Sequence, residues 1–450
     1  MRAAEEALIA AGTSVDALMQ VAGHGAADWV WRVSAGHKVT VLCGPGNNGG
    51  DGYVLAEAIR ARGCKVAVVA ACDPATDAAR NARALYRGEV LGPEAEAHGE
   101  VFVDCLFGSG LTRPLSDPHY ALLTRLAASH HKRVAVDLPS GVDSDSGAGL
   151  NEALPRYDLT VALGAWKFAH VLMPSRALAG QCRLVGIGVA EVPGAARMVE
   201  KPLLRRPRHR DNKFSRGMVL LVAGAMPGAA VLAGSAAIRG GAGYVKVAGG
   251  QGLPPELVAV PGDLDAALAD RRIGAVLAGP GLGRDDAARA RLGAVLARPH
   301  RALVLDADAL NLLGPGLPSV AGAVLTPHGG EMAALEAAFG LEGGGSKVAR
   351  ATALAARLQA TVVFKGADTV IAAPDGRIAC GPHAPVWLAM AGTGDVLAGL
   401  LAARLATGAE PFTAACEAVW LHGEAAYLAG PAFTAPDLAA AVPAALASAI

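Results

Sequence analysis

The chain is 450 residues long, which predicts two domains rather than one oversized core. Its 40 basic and 40 acidic side chains cancel, and only 4% of residues are aromatic, so neither a polyanion partner nor a platform for stacked bases is expected. Seven cysteines without a C-x-x-C pair read as reduced thiols, and the opening Met1-Arg2-Ala3-Ala4-Glu5-Glu6 lacks the pattern of a signal peptide, so a cytoplasmic protein is expected.

Residues 1–33 have helical spacing, with Leu8, Ile9, Val15, Leu18, Met19 and Val21 as candidate core positions. An apolar run, 38–42, then reads as a buried strand, and helical spacing resumes at Tyr53. The turn between them is Cys43-Gly44-Pro45-Gly46-Asn47-Asn48-Gly49-Gly50-Asp51-Gly52. Glycine lets a ligand touch main chain, and the N–H groups of the following helix attract an anion, typically phosphate. A ligand-free turn rarely needs five glycines. Gly44, Gly46 and Gly49, with Asp73 after the next strand, also match the G-x-G-x-x-G dinucleotide fingerprint. Asn47, Asn48 and Asp51 fit that fingerprint poorly; oxygen acceptors here suit a cation or a sugar hydroxyl as well.

Strands are predicted at 65–71, 101–105, 134–137 and 159–163, with helices between them. The alternation argues for an α/β fold with a parallel sheet covered on both faces, whose ligands bind at the carboxyl ends of the strands. Three more polar clusters fall there: 104–114, beginning Asp104-Cys105-Leu106-Phe107-Gly108; Asp137-Leu138-Pro139-Ser140-Gly141-Val142-Asp143; and Gly164-Ala165-Trp166-Lys167. A single carboxylate at a strand end can be a structural cap, but four such loops opening on one edge make a site.

In this order, G-x-G-N-N-G-G-D-G, D-x-x-x-G-x-G-L-x-R, D-x-P-S-G-V-D and T-x-x-x-G-x-x-K resemble the NAD(P)H-hydrate epimerase domain, over roughly residues 1–200. That family interconverts the R and S epimers of NADHX and NADPHX, the dinucleotides hydrated at C6 of the nicotinamide ring, and binds a potassium ion. The resemblance implies that Asn47, Asn48, Gly49, Gly50, Asp51, Gly108, Ser109, Gly110, Leu111, Thr112, Arg113 and Pro114 hold the dinucleotide. It also implies that Asn48, Asp104 and Ser140 contribute potassium ligands and that Asp137 contacts the substrate. Asp137 as the acid/base, tuned toward neutral pH in a partly dry crevice, is a further expectation.

Residues 191–216 carry prolines, charges and no periodicity, and 201–215 read as a linker whose basic run is a solvated surface rather than an RNA patch. The uncharged stretch 217–238 is long enough to span a bilayer, but Gly224, Pro227, Gly228 and Gly234 interrupt it, so a strand, a turn and a helix from about Ala229 are expected, with no membrane partner. Further strands are predicted at 244–248, 275–278, 302–305, 324–326, 362–365 and 370–373. Near the end, Gly392-Thr393-Gly394-Asp395 opens an apolar helix. Such a turn makes an anion hole, with Asp395 placed to take the proton of an attacking hydroxyl.

With Gly279-Pro280-Gly281-Leu282-Gly283, Asp306-Ala307-Asp308-Ala309-Leu310-Asn311, Thr326-Pro327-His328-Gly329-Gly330-Glu331 and Lys365-Gly366-Ala367-Asp368-Thr369, that turn resembles the nucleotide-dependent NAD(P)H-hydrate dehydratases of the ribokinase-like kinases, over roughly 210–450. The implied fold is two three-layer αβα domains, Rossmann-like at 1–200 and ribokinase-like at 216–450. The implied donor is ADP with Mg2+, the S-hydrate being phosphorylated on its C6 hydroxyl and then losing phosphate. By the same resemblance Lys365, Gly366, Ala367, Asp368, Thr369 and Gly394 bind the nucleotide, while Ala229, Gly281, His328 and the catalytic Asp395 face the hydrate. Met218, Gly329 and His383 depart from the family pattern of histidine, proline and asparagine, and Trp387 stands close to the last. A bifunctional repair enzyme, assembled as a homo-oligomer, is the expectation. The competing readings are a vitamin-precursor kinase with an attached dinucleotide-binding domain, and a non-enzymatic dinucleotide sensor.

Overall fold

Short runs of Val, Leu and Ile form the strands, because branched side chains fit a pleated surface covered on both faces. The computed structural model describes residues 1–250, 252–260, 263–298 and 302–450. They divide into two compact units, Met1–Pro193 and Gly194–Ile450.

In the first unit the strands are β1 (Val39–Cys43), β2 (Val66–Ala70), β3 (Glu89–Leu91), β4 (Gly99–Cys105), β5 (His130–Val136), β6 (Leu159–Leu163) and β7 (Gln181–Val185). They form one parallel sheet in the order β3-β2-β1-β4-β5-β6-β7. Alternation along β1 sends Val39, Val41 and Cys43 into a core with Met19, Ala26, Leu55 and Ile59, and Leu42 into another with Phe102, Leu123 and Leu126. The sheet is thus the middle of three layers. Chain order reverses between β1 and β4, which opens a crevice at their carboxyl ends.

The leading helical segment is two helices, Arg2–Ala10 and Val15–Ser34. The break resets the helical phase. Leu18 and Met19 are buried as expected and Leu8 is half-buried, but Ile9, Val15 and Val21 are exposed, and Ala22, Ala26, Ala27 and Val30 complete the buried face.

The second unit holds β8 (Arg197–Met198), β9 (Met218–Val222), β10 (Tyr244–Ala248), β11 (Val258–Val260), β12 (Ala275–Ala278), β13 (Leu303–Leu305), β14 (Val324–Leu325), β15 (Thr361–Phe364), β16 (Val370–Ala372) and β17 (Ile378–Cys380). Their order is β11-β10-β9-β12-β13-β14-β15-β16-β17-β8, parallel from β11 to β15 and antiparallel through β16 and β17. Helices Pro227–Arg239, Thr393–Ala406, Pro411–Ala429 and Ala435–Ser448 share one core. Small residues bring two of them close: a methyl on Gly399 would sit 2.1 Å from the carbonyl oxygen of Ala233.

The stretch 217–238 forms β9, a turn and a helix, and among the described residues no helix is long and apolar enough to cross a membrane. The segment 194–216 packs with the second unit. Its β8 pairs with β17, and Leu204, inside the expected linker, is buried and donates its N–H to the Ala449 carbonyl at 2.7 Å. An edge strand of two residues has too little length for periodicity to reveal it.

Candidate functional sites

The glycine turn lies at the crevice of the first sheet. A Cβ on Gly44 would fall 1.8 Å from the Leu106 carbonyl oxygen, and one on Gly49 would fall 1.9 Å from that of Gly44. Backbone therefore packs directly on backbone, and the helix Asn47–Ala61 starts inside the crevice with no side chain capping it. Asn47 is tied outward, accepting from the Thr76 hydroxyl at 2.8 Å. Asn48 points the other way, and both its Oδ1 and Nδ2 are buried without a hydrogen-bond partner. A buried, unpaired carboxamide costs about 1–3 kcal/mol, which marks a place for a ligand.

Asp137 follows β5 in the left-handed backbone region, φ 67°, a conformation costing a non-glycine residue about 1 kcal/mol. It is held there by its contacts. Oδ1 accepts from Lys167 Nζ at 2.5 Å, Oδ2 from the Ser109 N–H at 2.9 Å, and its own N–H bonds to the Val161 carbonyl at 2.8 Å. His170 accepts the Lys167 N–H on Nδ1, so Nε2 carries the proton and donates to the Asp137 carbonyl at 2.7 Å. Burial pushes the Asp137 carboxyl up, but the Lys167 charge and the bonds from Lys167 and Ser109 outweigh it and hold the group below the usual carboxylate range. The expectation of a carboxyl tuned toward neutrality is corrected here: the loop after β6 places a buried lysine against Asp137.

Asp51 shows the opposite balance. Burial, with Asp137 and Glu5 as like charges, raises its carboxyl well above the usual range, against the pull of Lys167. Asp104 is fully buried and crowded with donors: Oδ1 accepts from the Leu106 N–H and the Ser140 hydroxyl, Oδ2 from the Ser140 N–H and, at 2.5 Å, the Tyr157 hydroxyl. Burial still raises its carboxyl, these bonds opposing. Among the described residues Asp104 makes no ion pair, so its charge lacks a counter-ion.

Asn48, Gly108, Ser109 and Asp137 come together: a Cβ on Gly108 would lie 2.7 Å from Asp137 Oδ2 and 3.3 Å from Asn48 Cγ. Gly49, Gly50 and Asp51 are buried beneath them. Ser109, Gly110, Thr112, Arg113 and Pro114 form the exposed rim, whereas Leu111 turns inward to the core.

The second sheet reverses order between β9 and β12, where a Cβ on Gly224 would meet the Leu282 carbonyl oxygen at 2.0 Å. Gly281, φ 65°, bonds through its carbonyl to the Met226 N–H at the start of the helix carrying Ala229, so these two expected positions are neighbours. Asp395 is in the first turn of helix Thr393–Ala406. The Thr393 hydroxyl ties that turn to the carbonyls of Leu388 and Met390, and His422 Nε2 bonds to the Thr393 carbonyl at 2.9 Å. Burial lowers His422 to about 4, so it is a neutral brace.

Lys365 Nζ meets Asp306 Oδ1 at 2.6 Å and lies 3.8 Å from Glu331 Oε2 and 3.5 Å from where a Cβ on Gly394 would be. The Lys365 charge is thus engaged by other carboxylates, and Asp395 makes no hydrogen bond among the described residues. Burial, with Asp306 and then Asp308 as like charges, raises Asp395 to about 7, Lys365 opposing. His328 caps the helix Gly329–Phe339, accepting on Nδ1 from the N–H groups of Gly330 and Glu331, with its ring exposed at the rim. Gly366 and Ala367 are exposed in the turn after β15, which Thr369 closes onto the Gly366 carbonyl, and Asp368 is pinned by Lys347 Nζ at 2.6 Å. Met218 is fully buried in β9, and His383 Nδ1 lies 3.1 Å from the Tyr427 hydroxyl.

Sequence reasoning gave no role to Lys167, His170, Tyr157, Lys347 or His422. Lys167 ended a quoted motif, which was a usable signal; the others become visible only through contacts across the sheet.

Two family models match the chain, one described as NAD(P)H-hydrate dehydratase over residues 219–444, the other as YjeF-related protein N-terminus over residues 15–169. The chain is similar to the bifunctional NAD(P)H-hydrate repair enzyme Nnr of Salinibacter ruber, with 35% identity covering 91% of this chain and 87% of the relative. It is likewise similar to the enzyme of that name from Gloeobacter violaceus, with 36% identity covering 94% and 90%. Among solved structures, a ribokinase-like superfamily protein from Enterococcus faecalis aligns at TM-score 0.50 and 25% identity, over 58% of this chain and 98% of that one.

Proposed function

We propose a division of labour between the two clusters of this chain, which belongs to the family of bifunctional NAD(P)H-hydrate repair enzymes. The chain epimerises hydrated NAD(P)H and dehydrates the S epimer. The Asp137 cluster carries the first reaction and the Asp395 cluster the second. The observation that carries this reading is the contrast between the two carboxylates: Asp137 is buried against a lysine and stays ionised, while Asp395 sits at a helix N-terminus near 7.

In the epimerase half, inversion at C6 needs a proton removed and returned while one bond at that carbon breaks and re-forms from the other face. Asp137 is the group that moves the proton. The dinucleotide rests on Asn47 to Asp51 and on the exposed rim of Ser109, Gly110, Thr112, Arg113 and Pro114, where the helix N–H groups meet its phosphates. A potassium ion fits beside them. Asn48 Oδ1 lacks a partner, Asp104 lacks a counter-charge, and Ser140 adds a third oxygen. Bound there, the ion would compensate charge and help dock the substrate.

In the dehydratase half, Asp395 takes the C6 hydroxyl proton as the oxygen attacks the terminal phosphorus of ADP. The N–H groups of Thr393–Ala406 hold the transferring group. AMP leaves; loss of phosphate from C6 together with a proton from C5, which passes to solvent, forms the C5=C6 double bond and restores the dihydronicotinamide ring. Ala229, Gly281 and His328 line the hydrate side. Gly394 and the turn 365–369 take the nucleotide, Lys365 bridging toward the reacting phosphate. Mg2+ would enter on the nucleotide phosphates, where it would offset their charge.

The test is absorbance at 340 nm with mixed R and S NADH-hydrate, Mg2+ and either ADP or ATP. Full recovery of NADH with ADP supports both halves and the donor. Recovery that stops at the S fraction sinks the epimerase assignment. No recovery, with a stable phosphorylated product from a vitamin alcohol, sinks the dehydratase assignment.

A further inference from the structure

The Lys167 ammonium is an unusual group to bury. Its side chain is only 6% exposed, and it is locked by Asp137 Oδ1 at 2.5 Å and the Leu163 carbonyl at 2.6 Å. An ammonium has three donors; the third has no acceptor among the described residues. The lysine is placed by a rigid device: β6 ends at Leu163, Gly164 turns the chain at φ 75°, and Lys167 caps the short helix Phe168–His170. His170 then reaches back to the Asp137 carbonyl, so the same turn grips Asp137 by both side chain and backbone. A buried ion pair of this kind is weak support for stability, because desolvating two charges consumes most of their attraction. Holding a strained aspartate in one orientation beside an unpaired Asn48 is a use that stability alone does not explain.

We propose that Lys167 is the positioning residue of the epimerase site: its ammonium fixes Asp137 as an oriented carboxylate base, and the pair is the working unit. The inference rests on the epimerase reading of this cluster. The groups that bear on Asp137 are Lys167 and His170 from the turn after β6, Asp51 from the glycine-turn helix and, through Asp51, Glu5 from the first helix. Among them Lys167 is the one cation in direct contact with the carboxylate. Without it, burial favours the protonated acid, which is a poor proton acceptor, with only the Ser109 N–H bond and His170 left to oppose it. The proton taken from the substrate goes to Asp137 and returns from it.

The test uses the full chain with R-hydrate as substrate, NADH recovery reporting epimerisation under excess dehydratase, and three proteins: wild type, Lys167→Met and Lys167→Arg. Lys167→Met should lower the epimerase kcat on the order of 100-fold, the lower range for loss of a positioned acid or base. KM should stay within a few-fold, and the residual rate should climb with pH as Asp137 ionises. Lys167→Arg should recover part of kcat, and S-hydrate dehydration should be unchanged in all three. An epimerase kcat within tenfold of wild type in Lys167→Met, with an unaltered pH profile, overturns the proposal. So does an equal loss in Lys167→Met and Lys167→Arg with no pH dependence, the mark of a packing role. Wild-type protein that never epimerises R-hydrate overturns the epimerase reading instead, so the two failures are distinguishable.

Discussion

Asp137 and Asp395 occupy comparable places beyond the carboxyl ends of their sheets, yet their surroundings push them in opposite directions. Asp137 owns its lysine; Asp395 shares one already engaged by Asp306 and Glu331. With the ionised form of Asp395 as the proposed base and its carboxyl near 7, the dehydratase rate at saturating nucleotide should rise roughly tenfold between pH 6 and pH 8. Stability runs the other way. The folded chain keeps a proton on Asp395 that the unfolded chain loses near 3.8, so this group's contribution falls as pH rises from about 4 to 7. Asp395→Asn should abolish dehydration, leave epimerisation intact and raise Tm at pH 8 by roughly 2–4 °C if the relief is about 1 kcal/mol. A variant that keeps full dehydratase activity would remove Asp395 from the mechanism. Asn48 supports a second prediction. Asn48→Leu removes an unpaired buried carboxamide, so the variant should be no less stable than wild type in lithium chloride, while losing both epimerase activity and the rise in Tm expected of wild type in potassium chloride. Equal potassium shifts in the two proteins would place the ion elsewhere.

At the scale of an element, the glycine turn is a device for close approach, and its glycines are not equivalent. A methyl on Gly46 meets nothing within 4 Å, and its backbone is extended at the helix start; a methyl on Gly49 strikes the Gly44 carbonyl at 1.9 Å. Gly46→Ala should therefore cost under about 1 kcal/mol, the scale of a lost N-cap. Gly49→Ala should cost about 1–3 kcal/mol through overpacking and abolish epimerisation by displacing Asn48. Thermal melts and NADH-recovery assays on the two variants check this, and similar losses in both would mean that the turn yields where the packing says it cannot. Fully buried strands such as Leu159–Leu163 and Ala275–Ala278 were legible in the sequence to the residue, because burial on both faces demands a nearly continuous apolar run, broken here only by Thr160, whose hydroxyl is bonded to the Ala179 carbonyl. The edge strands Glu89–Leu91 and Gln181–Val185 were not, because half-exposed strands can carry glutamate, glutamine and arginine, and Val258–Val260 is too short for a pattern to show.

For the whole molecule, the two units each hold a complete set of strand-end residues. If the sites work independently, a mixture of Asp137→Asn and Asp395→Asn chains should recover all the NADH from R-hydrate, each variant supplying the step the other lacks. R-hydrate that persists in the mixture while S-hydrate is consumed would show that an intact chain is required.

The sequence by itself determined the α/β class, the two halves and most of the residues at the strand ends. Those features are local: apolar runs, glycines where backbone must approach backbone, and carboxylates in the turns that follow. The family resemblance came from the same turns. Only the tertiary structure decided how those carboxylates are poised, because protonation depends on what lies across the crevice. Lys167 stands thirty positions from Asp137 in the chain and 2.5 Å from it in the fold. Likewise the residues after Pro193 read as unstructured until β17 supplied an edge for Arg197–Met198 to join. Strand pairing and ion pairing between distant segments are set by topology, and a linear pattern does not carry them.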